Sequence, residues 1–197
     1  MFTDIERSTE LLKQLGSGYG AVLAAHRRIV RETFAAANGV EIDTQGDAFF
    51  FAFPRARDAV SAAVEVQRAH AVNEWPEGSP VRVRMGLHTG EPSGRRGGLP
   101  LPGRRSRSAH LHGRAGRHVL LSESTRALLG STLPDGVSVF PRDERHLKGI
   151  DEPERVYELG IEGVESEELA AEEEVPLPPS PPPVSYTHLT LPTKRIV

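Results

Sequence analysis

Asp4 and Asp47 are the residues of this sequence with the clearest capacity for chemistry. Asp4 ends a short apolar segment just before a Ser-Thr pair, and Asp47 lies in a bend between two apolar segments. Apart from Arg7, neither has a nearby basic residue on its own segment, so neither has an evident structural use. Two divalent cations about 3.5–4 Å apart can clamp the attacking and leaving oxygens of a phosphoryl displacement. If the first strand lies beside the bend, the two carboxylates can share such ions.

The turn from Ile5 to Thr9 is the candidate phosphate site, because a helix begins there. Backbone N–H groups without partners at a helix start suit a triphosphate. The residues alone leave a structural alternative open, in which Asp4 caps the helix and Asp47 makes an Asx-type turn.

The elements that must position these residues are predicted from hydrophobic periodicity and turn signals. Met1 to Ile5 is typical of the end of a strand, and Ser8-Thr9 are predicted to cap a helix that begins near Glu10. The other predicted elements are helices at 19–37, 58–71 and 123–129, the last capped by Ser122, a β-hairpin of 40–44 and 48–53 with Asp47 at its bend, and strands at 81–88, 119–121 and 155–159. This β-α-β-β-α-β order with additions predicts a split βαβ arrangement.

For two of the predicted strands, the sequence also predicts which way the side chains face. Phe49, Phe51 and Phe53 alternate along the hairpin, as the core-facing side of a sheet requires. Arg82 and Arg84 alternate with apolar residues on a later strand, and we expect them to face solvent or a partner subunit.

Composition limits the class of protein. At 197 residues and 38% hydrophobic, the chain has material for one core of ordinary size. The absence of cysteine excludes disulfides and thiolate metal sites. The sequence shows no apolar run long enough to span a membrane and no signal pattern, so we expect a cytoplasmic domain.

The segment Ser93 to His118 departs from its surroundings. It holds seven arginines, six glycines, three histidines and no acidic residue, and it follows neither helical nor strand periodicity. We expect it to be irregular, and we interpret it as G+C-rich codons read one base out of frame. The alternative is an arginine-rich loop that binds nucleic acid or phosphate; we expect no nucleic-acid partner.

The C-terminal part divides in two. Residues 161–183 are acidic and then proline-rich, which predicts a flexible linker. Residues 184–197 resemble a translated sequencing adapter, so we interpret them as an artefactual tail.

Four motifs, in order, resemble those of the class III adenylate and guanylate cyclase catalytic domains. They are Phe2-Thr3-Asp4-Ile5-Glu6-Arg7-Ser8-Thr9, Gln45-Gly46-Asp47-Ala48-Phe49, Arg84-Met85-Gly86-Leu87-His88-Thr89-Gly90, and His146-Leu147-Lys148-Gly149 with Glu152-Pro153-Glu154-Arg155-Val156-Tyr157. The resemblance runs from Met1 to Glu91 and from Val119 to Leu159. Family members start several residues earlier, so we expect the first strand to be cut short at Met1.

The resemblance implies an α+β, ferredoxin-like domain at residues 1–160, with a mostly antiparallel sheet and helices packed on one face. It implies a bacterial-type nucleotide cyclase that converts ATP, in preference to GTP, to the 3′,5′-cyclic nucleotide and pyrophosphate in intracellular signalling. The enzyme would work as a homodimer with interfacial sites, and a regulatory or effector domain would be fused to it.

The resemblance also implies roles for individual residues. Asp4 and Asp47 would be catalytic and, with the backbone carbonyl of Ile5, would bind two Mg²⁺ or Mn²⁺ ions per site. The turn of Glu6, Arg7, Ser8 and Thr9 would hold the β- and γ-phosphates. Metal positioning and charge neutralisation would supply most of the rate.

Three departures from the family pattern bear on activity. Asp43 stands where the family places a lysine that recognises the purine, and Arg7 stands where it places a glycine. The family's asparagine-arginine pair falls within 93–118, where neither residue is recognisable, and losing one such donor costs about 10²–10³ in rate. The alternative function is therefore a non-catalytic nucleotide-sensing or dimerisation module of a signalling protein.

Overall fold

The fold is taken from a computed structural model, which describes residues 1–76, 78–90, 118–145 and 153–164. Most of the predicted irregular segment at 93–118 and of the predicted linker and tail at 161–197 lies outside the described residues. At the ends of these ranges, His118 is buried and Ile161 is the last residue of a strand.

Seven strands and four α-helices alternate along the described chain. In chain order they are β1 (Phe2–Ile5), α1 (Ser8–Leu15), a 3-10 turn (Gly16–Gly18), α2 (Tyr19–Ala36), β2 (Val40–Gln45), β3 (Ala48–Ala52), α3 (Ala56–Val72), β4 (Val83–Leu87), β5 (Val119–Ser122), α4 (Glu123–Leu129), β6 (Val137–Arg145) and β7 (Glu154–Ile161). The helix that Ser122 caps has the predicted bounds, and the Ser122 side chain accepts the N–H of Thr125. No described helix is long and apolar enough to cross a bilayer.

The strands form one sheet in the order β2-β3-β1-β4-β5-β7-β6. β1 lies between β3 and β4 and is antiparallel to both, so β3 separates β1 from β2. That order is the split βαβ arrangement, and the α+β, ferredoxin-like prediction is confirmed. Among the strand pairs of the described residues, only β4 and β5 run parallel.

The main core lies between the sheet and the helices α2 and α3. On α2 the buried positions recur every three or four residues, from Val22 through His26 to Phe34, so one face of the helix is covered. Phe34 meets the rings of Phe51 and Phe53 edge-on, with centroids 4.9 and 5.4 Å away. The prediction that the aromatic row belongs to the core is confirmed, with Phe53 only partly buried.

The start of α1 differs from the prediction. The helix begins at Ser8, and the residue at its N-cap is Arg7, with φ 52° and ψ 34° and no side-chain cap hydrogen bond. The prediction of a Ser8-Thr9 cap near Glu10 was therefore wrong. This left-handed conformation costs most residues about 1–2 kcal/mol relative to glycine. It gives a physical reason for a glycine in the family pattern at this position.

Strand β6 was not predicted at all. It occupies the edge of the sheet, pairs only with β7 and has a register shift between Pro141 and Glu144. Its second half is proline followed by charged residues, a composition that favours sheet edges. This segment is a strand because it pairs with β7, so its local sequence predicts a strand only weakly.

Glu158 on β7 is a buried carboxylate, 3% exposed, that links β7 to β6 and to the residue just before β5. One oxygen contacts Nδ1 of His118, and the other accepts a hydrogen bond from Arg142 Nε at 2.6 Å. Burial by itself raises the pKa of Glu158, but the hydrogen bonds and charges of His118 and Arg142 outweigh burial and lower it. The folded state therefore favours the ionised form.

Replacing Glu158 with glutamine is expected to lower the free energy of unfolding by about 1.5–3 kcal/mol at pH 7, the usual worth of a hydrogen bond to a charged group. A lowered folded pKa gives stability that is present above the unfolded value of 4.5 and lost as the pH falls through the folded value. The difference between wild type and Glu158→Gln is expected to shrink as the pH falls from 7 to 3. Urea unfolding followed by circular dichroism measures it, and a difference that stays constant over this range contradicts the assignment.

Candidate active site

Asp4 lies on β1 directly opposite Arg84 of β4. Arg84 donates from Nε to Asp4 Oδ1 at 2.9 Å and from Nη2 to Oδ2 at 2.8 Å, a two-bonded guanidinium–carboxylate pair. Both side chains are about one-fifth exposed, at 22% and 21%. The expectation that Arg84 faces solvent or a partner subunit missed this contact. Asp4 therefore has a structural counter-charge, which sequence spacing did not reveal because 80 residues separate the two.

The pKa of Asp4 is raised above its ordinary value. Burial is the main cause, and the negative charges of Asp47 and Glu6 add to it, whereas the bonds and charge from Arg84 act in the opposite direction. Even with the guanidinium in place, the Asp4 carboxylate is held in surroundings that disfavour its negative charge. Additional positive charge near Asp4 would therefore stabilise the ionised form of its carboxylate.

Asp47 follows Gly46 in the turn between β2 and β3, where Gly46 has φ 63°. Its Oδ2 accepts a hydrogen bond from the backbone N–H of Ile5 at 2.9 Å. Because Ile5 follows Asp4 in the chain, the Asp47 carboxylate lies beside the end of β1. The expectation that the first strand lies beside the hairpin is confirmed by the pairing of β1 with β3.

The candidate oxygen ligands near the end of β1 are of the kind that Mg²⁺ and Mn²⁺ prefer. They belong to the carboxylates of Asp4 and Asp47 and to the backbone carbonyl of Ile5, all hard donors. Within the described residues, no hydrogen bond reaches Asp47 Oδ1. No cluster of three or more His, Cys, Asp or Glu side chains occurs in the described ranges. The set nevertheless fits Mg²⁺, which proteins usually bind through one or two carboxylates plus substrate phosphates and water.

The turn after β1 leaves fewer N–H groups for phosphate than the sequence suggested. The N–H of Glu6 donates to the Arg82 carbonyl at 2.8 Å, so it is already used. The N–H groups of Ser8 and Thr9 lie in the first turn of α1, where the helix provides no acceptors for them. The side chain of Arg7 is 74% exposed and lies 3.9 Å from Glu10. This places it in solvent at the mouth of the turn.

Asp43 lies half-buried on β2, next to a register shift between Glu41 and Asp43. Its Oδ1 accepts the N–H of Thr44 at 2.9 Å, and its Oδ2 accepts from the Gln45 side chain at 3.3 Å. The carboxylate is thus engaged with the local backbone and an amide, an arrangement unlike that of a lysine reaching toward a purine.

Comparison with known sequences and structures identifies the family to which the chain belongs. Residues 1–98 match the sequence family described as the adenylate and guanylate cyclase catalytic domain. This region contains Asp4 and Asp47 together with the elements that bring them together. The chain carries a class III cyclase domain.

Individual relatives extend this finding. An uncharacterised protein of Mycobacterium tuberculosis is 32% identical over 162 residues, 81% of this chain and 54% of the relative. The cyclase domain is also similar to an adenylate cyclase of Lachancea kluyveri, with 33% identity over 111 residues, 47% of this chain and 6% of that protein. The chain thus spans about half the length of the mycobacterial relative and a small part of the fungal one.

Solved structures share the fold. An adenylate cyclase of Trypanosoma brucei in its monomeric state superposes on the cyclase domain with a TM-score of 0.70 and 22% identity, over 84% of this chain and 90% of that one. At this level of identity the likeness is one of fold.

The cyclase domain also has a pair of buried histidines behind Asp47, His26 and His70, which the sequence analysis did not identify as residues of the site. His26 is fully buried, and its Nε2 lies 3.1 Å from the carbonyl oxygen of Asp47. Its Nδ1 lies 3.0 Å from Nε2 of His70, whose Nδ1 lies 2.9 Å from the Val66 carbonyl. The sequence offered one signal for this pair: a histidine, His26, stands among the apolar residues of α2 and is followed by Arg27.

Burial lowers the pKa of His26 to about 4, so this ring is neutral at neutral pH and carries one proton. A carbonyl oxygen only accepts, so the hydrogen bond to Asp47 assigns that proton to Nε2. Nδ1 of His26 then accepts from Nε2 of His70.

Proposed function

We propose that this chain is a nucleotide cyclase that converts a purine nucleoside triphosphate, ATP in preference to GTP, to the 3′,5′-cyclic nucleotide and pyrophosphate in signal transduction. The observation that carries the proposal is the hydrogen bond from the N–H of Ile5 to the carboxylate of Asp47. Because Ile5 follows Asp4, this contact puts Asp47 beside the end of β1, where Asp4 lies. The family membership of residues 1–98 supports the same reaction class.

In this reaction the ribose 3′-oxygen forms a bond to the α-phosphorus while the bond from that phosphorus to the oxygen bridging to the β-phosphate breaks. Pyrophosphate leaves, and the hydroxyl proton passes to solvent. Two divalent cations per site, Mg²⁺ or Mn²⁺, would supply positive charge beside the triphosphate when bound. The carboxylates of Asp4 and Asp47 and the Ile5 carbonyl would hold them.

Other groups of the chain orient the substrate. The N–H groups of Ser8 and Thr9 at the start of α1 would donate hydrogen bonds to the β- and γ-phosphates, with the helix dipole adding to the attraction. The positively charged Arg84 contacts Asp4, and its charge offsets the repulsion between the carboxylates of Asp4 and Asp47. Two copies of the chain would form a homodimer with the sites at their interface, since the family completes each site with residues of the opposite subunit.

The purified chain incubated with Mn²⁺ and either ATP or GTP tests the proposal, with cyclic nucleotide and pyrophosphate quantified by mass spectrometry. We expect slow formation of cyclic product, greater with ATP. The lack of a recognisable asparagine-arginine pair is expected to reduce the rate by about 10²–10³. Product formation that is independent of added metal contradicts the proposal.

The rival function, a non-catalytic nucleotide-sensing or dimerisation module, is favoured by the acidic Asp43 at the base position and by the lack of a recognisable asparagine-arginine pair. It predicts Mn²⁺-dependent binding of ATP or GTP, measurable by calorimetry, with no cyclic product at any enzyme concentration. The same two measurements on one preparation separate the two functions.

A further inference from the structure

The turn that carries Asp47 is held from behind by two consecutive residues of α2. His26 donates from Nε2 to the Asp47 carbonyl, and Arg27 donates from Nε at 3.1 Å and from Nη2 at 2.6 Å to the Gly46 carbonyl. On the other side, the Asp47 carboxylate accepts the N–H of Ile5. The turn is therefore fixed at two successive carbonyls and at one side chain.

Of these contacts, the one from His26 is the best placed to control Asp47. His26 is 0% exposed, whereas the hydrogen bonds of Arg27 are exposed to solvent. The His26 ring is itself located by His70 and packs against Phe49 on β3, with centroids 5.8 Å apart. Hydrogen bonds that fix the position of a metal-binding residue typically change metal affinity or activity by about 10–100-fold when they are removed.

We infer that His26 is a positioning residue for Asp47, and that it sets the affinity of the site for divalent cations by fixing the backbone of the turn. This inference rests on the proposed function, because it takes Asp47 to be a metal ligand. His26 contacts the main-chain carbonyl of Asp47, so its effect on the site passes through the Asp47 main chain.

The test compares variants of the full chain by titration with Mn²⁺ alone, and then with Mn²⁺ plus an ATP analogue that carries a methylene group between the α- and β-phosphorus. The unbound Mn²⁺ is followed by electron paramagnetic resonance. His26→Leu, which fills the space without a donor, is expected to weaken Mn²⁺ binding about 10–100-fold. His26→Gln, whose side-chain amide keeps a donor near the Nε2 position, is expected to recover most of that affinity.

Val30→Ala is the matched control for general destabilisation of α2, since Val30 is equally buried on the same helix and belongs to the main core. It is expected to lower the melting temperature while the Mn²⁺ affinity stays at the wild-type value. If His26→Leu does not fold, His26→Asn replaces it, because the shorter amide falls short of the Asp47 carbonyl. The comparison with His26→Gln is then unchanged.

Three results would overturn the inference: wild-type Mn²⁺ affinity in His26→Leu, no recovery in His26→Gln, or an equal loss in Val30→Ala. Asp47→Asn separates this failure from failure of the proposed function. If wild type and Asp47→Asn bind Mn²⁺ equally, Asp47 is not a metal ligand and the proposed function fails with the inference. If only Asp47→Asn loses Mn²⁺ while His26→Leu does not, the positioning role alone is wrong.

Discussion

Replacing Asp47 with asparagine is expected to lower the rate of cyclic-nucleotide formation by at least about 10²–10³, the usual effect of removing one group that stabilises transition-state charge. The amide keeps an oxygen that can accept the N–H of Ile5, so the turn between β2 and β3 is preserved. The variant loses only the negative charge that would hold a divalent cation. Mass spectrometry of the product and the Mn²⁺ titration measure the two consequences on one preparation.

Asp135→Asn is the control for this prediction. Asp135 is exposed in the loop before β6, remote in sequence from the site, and its backbone carbonyl rather than its carboxylate accepts the hydrogen bond from Arg68. It removes the same charge from the chain and is expected to leave product formation and Mn²⁺ affinity unchanged. Turnover in Asp47→Asn at the level of this control would exclude a catalytic role for Asp47.

Replacing Phe34 with alanine is expected to lower the free energy of unfolding by about 3–5 kcal/mol, the usual cost of removing a buried phenylalanine side chain. Phe34 is 0% exposed and joins α2 to β3 through its edge-on contacts with Phe51 and Phe53.

Chemical denaturation in urea, followed by far-ultraviolet circular dichroism, measures the loss. Leu12→Ala on α1 provides the comparison, because Leu12 is 47% exposed and its replacement is expected to cost no more than about 0.5 kcal/mol. A loss below 1 kcal/mol in Phe34→Ala would mean that α2 is not anchored to the sheet through this ring.

The elements around the site were predictable where local pattern and burial agree. On α2 the apolar residues repeat on one face, and both segments of the hairpin are apolar. Each pattern predicts a surface that is buried in the core. Their bounds in the structure differ from the predicted ones by a few residues at most. β6 was missed because its second half, from Pro141 onward, has the composition of a loop and becomes a strand only by pairing with β7.

The candidate site was only partly predictable. Asp4 and Asp47 were identified from their setting, and they lie together because β1 pairs with β3. Their catalytic and metal-binding roles remain proposals. The partner of Asp4 was not predictable, since Arg84 reaches it only through the pairing of β1 with β4. The cap at Arg7 was missed because its positive φ is a property of the folded turn and not of the arginine.

By itself, the sequence determined the residue types at the site, the helices with a single apolar face and the order of strands that yields a split βαβ sheet. These follow from side-chain chemistry and short-range periodicity, which act within a few turns of chain. Only the tertiary structure decided that Arg84 neutralises Asp4, that Ile5 holds Asp47 and that His26 supports the turn from behind. Each of these contacts joins residues 21 to 80 positions apart, so its geometry exists only once the sheet and α2 have packed together.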